Sequence, residues 1–118
     1  GRPIVSADFV AHATGESSTE LNAAYGWLWW LNHRGPIAST TIATRGPGDG
    51  SVADGQFLPG QSTDIFWALG LFDQVVAVVP AEELVAVRMG AEPPSDAPFG
   101  APELTLGVLG AVVEPRPS

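Results

Sequence analysis

The stretch from Ile65 to Met89, IFWALGLFDQVVAVVPAEELVAVRM, constrains the fold more than any other part of the chain. Three apolar runs, Ile65–Leu71, Gln74–Val79 and Leu84–Met89, are separated by Phe72-Asp73 and by Pro80-Ala81-Glu82-Glu83. Each run is short and rich in Val or aromatic residues, which predicts strands rather than helices. Connectors this brief can only join antiparallel neighbours, and Pro80 presets φ for the second turn. Unbroken runs of Val predict a sheet buried on both faces. Gly70 marks a point where the backbone needs to approach something closely.

The flanks read as cover for this sheet. Ile4 to Ala13 predicts a short helix, with Ser6 as N-cap, Asp8 in the first turn and Gly15 as the stop. Val5, Phe9 and Val10 are its expected apolar face, and His12 falls near its C-terminal end. Tyr25–Asn32, YGWLWWLN, predicts a Trp-rich strand with Trp27, Trp29 and Leu31 on one side and Leu28 and Trp30 on the other. Its three Trp residues could form a carbohydrate platform, but core packing is the plainer reading. Pro102 and Glu103 suit the start of a last helix, in which Leu104, Val108, Ala111 and Val112 share a face widened by Leu106, Leu109 and Val113. Four antiparallel strands with a helix at each end make an α+β fold. The two helices are expected to cover one sheet face, leaving the other apolar and in need of a partner.

Between His33 and Asp64 the pattern dissolves into Gly, Pro, Ser and Thr, a long irregular connection. Pro36–Thr44 is a possible additional edge strand. Asp49-Gly50 and Asp54-Gly55 read as tight turns; they lack the alternating oxygens and terminal Glu of a calcium loop.

Composition excludes several function classes. The net charge is −8, and all five basic residues are Arg, so the chain has no basic surface for nucleic acid and is not drawn to anionic membranes. Without Lys, this segment offers neither Ser-x-x-Lys nor Schiff-base chemistry. Without Cys there is no disulfide or thiolate metal site. His12 and His33 are too few for a zinc centre, and nothing in their spacing from the Ser residues supports a catalytic triad. No cofactor is implied, and no apolar run approaches the ~20 residues of a membrane span.

Tyr25-Gly26 with Trp29-Trp30, then Gly70-Leu71-Phe72-Asp73-Gln74, then Pro80, Leu84-Val85 and Val87-Arg88, resemble the C-terminal end of β-lactamase-type serine hydrolases. That group includes class C β-lactamases, related esterases, penicillin-binding proteins and 6-aminohexanoate-dimer hydrolases. The likeness runs from about Ile4 to Val113, and the Gly-Leu-Phe-Asp-Gln turn is nearest the last branch. It implies that residues 1–118 are the C-terminal segment of a β-lactamase/transpeptidase-like domain whose N-terminal part lies upstream of Gly1. It also implies that Ser-x-x-Lys and Tyr-x-Asn or Tyr-x-Ser lie upstream, because neither occurs here.

The family's third motif, Lys/His-Thr-Gly, would fall at Ala68-Leu69-Gly70. By the resemblance, Leu71 supplies one oxyanion-hole N–H through its backbone, and Phe72 and Asp73 sit at the pocket rim. Loss of Lys/His and Thr implies neutral small-molecule esters or amides as substrates, and it implies that this segment alone is inactive. Beside this stand blander readings: Asp73 as a turn residue, Gly70 as relief of a tight crossing, Arg88 as a surface or salt-bridge residue. The alternative function is a non-catalytic binding or structural module using the Trp-rich strand and the long loop.

Overall fold

The computed structural model describes residues 1–37 and 52–112. Helix α1 spans Ala7–Gly15. Six strands follow: β1 Trp30–Leu31, β2 Gly35–Ile37, β3 Val52–Gly55, β4 Phe66–Gly70, β5 Gln74–Val79 and β6 Leu84–Arg88. Helix α2, Ala101–Val112, comes last. Strands β1, β4, β5 and β6 form one antiparallel sheet in the order β1-β4-β5-β6, and β2 and β3 pair as a separate ribbon. This is the expected α+β architecture.

The three runs of the central stretch become β4, β5 and β6 almost residue for residue. Trp67 pairs with Ala77, which pairs with Ala86. Alternation then splits the sheet into two unlike faces. Trp67, Val75, Ala77 and Val79 are buried together with Ile65, Leu58 and Ala101, and Leu69, Leu84, Ala86, Leu104 and Leu109 pack around them. Helix α2 covers this face. On the opposite face Val76 pairs with Val87 and Val78 with Val85, yet Val85 and Val87 are 61% and 57% exposed. Among the described residues nothing covers that end of the sheet, so the expectation of burial on both faces is overturned there.

Helix α1 does not share the covering role. Ser6 caps it, accepting from Phe9 N–H at 3.2 Å, but Val5, Phe9 and Val10 are exposed and its buried residue is Ala13. It lies instead against the turn that leads into β1, where Trp27 N–H reaches Ala13 O at 3.3 Å. That turn also shortens the predicted Trp-rich strand. Gly26 N–H donates to Trp29 O at 2.7 Å, Leu28 is left-handed at φ 67°, and only Trp30–Leu31 joins the sheet. Gly26 is required by close approach: a Cβ there would lie 2.9 Å from Ala13 O and 3.0 Å from Leu31 Cδ1.

Two further expectations change. The strand anticipated within Pro36–Thr44 begins as β2, Gly35–Ile37, and its remaining residues, like Asp49-Gly50, lie outside the described residues. Asp54-Gly55 is the end of β3 rather than a turn, with Gly55 paired to Gly35. At α2, Glu103 reaches back to the Gly100 N–H at 2.9 Å, the return bond of a capping box.

Candidate functional site

The residues singled out in the sequence collect at one end of the β4–β5 hairpin. Ala68, Leu69 and Gly70 are the last three residues of β4. Leu71, Phe72 and Asp73 form the turn, and Gln74 opens β5 opposite Gly70. Leu69 packs on the core, whereas Leu71 and Phe72 are 67% and 59% exposed. Gly70 has ordinary extended backbone; what it approaches is Gln74, whose Cβ would lie 3.2 Å from a Cβ at position 70.

Phe72 and Asp73 are both left-handed, at φ 60° and 58°. Two successive residues of this kind suit the twist of a hairpin, but Asn and Gly usually fill them. A Phe in this conformation costs on the order of 1 kcal/mol. Two side chains from the neighbouring strands oppose its relaxation. Gln74 Nε2 donates to Phe72 O at 2.9 Å and to Gly90 O at 2.8 Å, while its Oε1 accepts from Gly90 N–H at 2.8 Å. Arg88 Nη1 donates to Phe72 O at 3.2 Å and to Asp73 O at 3.1 Å, and its Nη2 donates to Ala91 O. Arg88, anticipated as a surface or salt-bridge residue, spends its fork on main-chain carbonyls at the exposed end of the sheet. The signal for this lay in the strand pairing, which sets Arg88 opposite Val75, one residue past Gln74.

The Asp73 carboxylate points toward the start of α2, where a Cβ on Gly100 would lie 3.2 Å from its Oδ1 and 3.6 Å from Glu103 Oε2. Among the described residues no three His, Cys, Asp or Glu side chains are grouped to hold a metal ion. None of the described helices is long and apolar enough to cross a membrane.

A second cluster lies away from this hairpin. An open groove of about 460 Å³ is lined by Ser17, Ser18, Thr19, Glu20, Ala23 and Pro36. Ser17 Oγ is 3.4 Å from His33 Nδ1, a pair the sequence spacing did not reveal. The hydroxyl donates to Ala23 O at 2.9 Å, so its hydrogen is directed away from the imidazole. The three Trp rings of the 25–32 segment likewise have separate partners. Trp27 lies tilted against His12, Trp29 meets Phe66 edge-on, and Trp30 contacts Tyr25 and Phe57. They do not form one platform.

Sequence reasoning missed Asn32, the most connected polar side chain among the described residues. It is fully buried. Its Nδ2 lies 3.1, 3.3 and 2.9 Å from Leu58 O, Gln61 O and Ser62 O, its two hydrogens shared among the three carbonyls, and its Oδ1 accepts from Leu58 N–H at 2.7 Å. Gln56 Nε2 adds bonds to Asn32 O and Gln61 O. This network anchors the loop that leads into β4 and so sets where the strand begins. The visible signal was a polar residue closing an apolar run.

No protein-family model matches the chain, and no curated protein or solved structure is significantly similar to it.

Proposed function

We propose that this chain is the C-terminal part of a β-lactamase-type serine hydrolase domain that cleaves neutral ester or amide bonds through an acyl-enzyme. The observation that carries the reading is the Gly70–Leu71 step. It ends β4 at an exposed turn whose carbonyls are bonded from the strand side by Gln74 and Arg88. Leu71 is exposed on this turn, and a backbone N–H on a turn held in this way suits the fixed donor that an oxyanion hole requires.

The chemistry divides between the two parts of the domain. A serine of the upstream part attacks the substrate carbonyl. The oxygen becomes an oxyanion, shared between the Leu71 N–H and a second N–H near that serine, and collapse expels the alcohol or amine. Water then releases the acyl group. Phe72 and Asp73 flank the entrance. With Ala68-Leu69 where a cation and a hydroxyl would hold a substrate carboxylate, uncharged substrates fit best. The apolar, exposed Val85 and Val87 agree with a sheet that needs the rest of its domain.

The test is made on the whole reading frame. It should encode Ser-x-x-Lys upstream of Gly1, and the whole protein should be labelled by a fluorophosphonate and turn over a chromogenic ester. Residues 1–118 alone should do neither. Absence of an upstream Ser-x-x-Lys, or labelling of the isolated segment, would sink the reading.

A further inference from the structure

We infer that Gln74 and Arg88 are positioning residues for the Leu71 amide, acting as a two-armed clamp on the turn that carries it; this rests on the hydrolase reading above. The turn needs a clamp because its geometry is not the one its residues prefer. Phe72 is left-handed, and a bulky L-residue relaxes out of that region unless the surroundings determine it. Relaxation would rotate the Phe72–Asp73 peptide and swing the Phe72 carbonyl. That carbonyl accepts from both arms, Gln74 Nε2 at 2.9 Å and Arg88 Nη1 at 3.2 Å.

The same arms reach beyond the turn. Gln74 bonds both the N–H and the C=O of Gly90, and Arg88 bonds Asp73 O and Ala91 O. The β4–β5 turn is thereby tied to the chain leaving β6. The amide at Leu71 lies between this tied segment and the β4–β5 ladder, which ends at the Gly70–Gln74 pair. Its peptide is therefore joined at one end to the ladder and at the other to a segment whose carbonyls are held. Guanidinium geometry matters here, because one planar fork serves three carbonyls and an ammonium cannot reproduce that arrangement.

The experiment uses the whole protein with a chromogenic ester, comparing Arg88→Lys, Arg88→Ala and Gln74→Glu. Gln74→Glu keeps the acceptor for Gly90 N–H and loses both donor bonds. Each variant should lower kcat and kcat/KM together by roughly 10- to 100-fold, the cost of a displaced oxyanion donor. Millimolar guanidinium should restore part of the loss in Arg88→Ala. Amide order parameters of Leu71, Phe72 and Asp73 should fall in all three variants. Thr105→Val, which loosens the β4–α2 contact away from this turn by removing the acceptor of the Trp67 indole N–H, should leave kcat unchanged and serves as the control for general loosening. Full kcat in Arg88→Lys and Gln74→Glu, with the native protein active, overturns the clamp and leaves the hydrolase reading standing. A native protein without turnover overturns both.

Discussion

The indole Nε1 of Trp67 donates to the hydroxyl of Thr105 across 2.9 Å, with both side chains fully buried. Thr105 passes the bond on to Ala101 O at 2.7 Å. Strand β4 is thus tied to α2 by a polar link inside an apolar interface. Replacing Thr105 with Val keeps the shape and strands the indole N–H, so it should cost about 1–3 kcal/mol. In a denaturant titration Thr105→Ser should retain more stability than Thr105→Val. In a Trp67→Phe background the Val substitution should cost less, because no donor is left stranded.

Asn32→Ala should be the most damaging polar truncation among the described residues. It removes the acceptor of Leu58 N–H and the donor of three loop carbonyls at once. Leaving these buried groups unpaired should cost roughly 3 kcal/mol or more. Asn32→Asp should do no better, since a carboxylate would face three carbonyl oxygens. Preserved thermal stability in either variant would contradict this role for Asn32 in anchoring the loop.

Glycine substitutions should divide by position. Gly26→Ala places a methyl 2.9 Å from Ala13 O and should destabilise by about 1–3 kcal/mol. A Cβ added at Gly107 or Gly110 of α2 would meet nothing within 4 Å, so Ala there should stabilise by up to about 1 kcal/mol each. Thermal melts of the three variants should move in these opposite directions.

Exchanging Val85 and Val87 for Thr should leave folding stability within about 0.5 kcal/mol. It should lower both self-association and binding of an apolar-surface dye, because these valines are exposed on the uncovered face. Unchanged dye binding would show that the exposed apolar surface lies elsewhere, with Phe9, Leu28 and Leu71 the next residues to exchange.

Strands β4, β5 and β6 were legible because their apolar runs are short and the breaks between them carry turn residues. The α1 N-cap was legible for a similarly local reason. Tyr25–Asn32 misled because Trp-rich composition reports affinity for packing, not backbone direction. Its rings pack from a turn centred on Leu28, and only Trp30 and Leu31 enter the sheet. The bonds of Asn32 and Arg88 were not legible, because their carbonyl partners lie far along the chain or on turns whose shape is set by pairing.

What the sequence by itself determined is therefore the hairpin pair around Gly70-Leu71 and Pro80, the two helices and the α+β class, all consequences of local periodicity and turn chemistry. The tertiary structure alone decided which face of the sheet is covered, since alternation makes both faces apolar and only the placement of α2 chooses one. It also decided how the turn after Gly70 is held. Side chains from β5 and β6 reach it only after the register has brought Gln74 and Arg88 to the same end of the sheet.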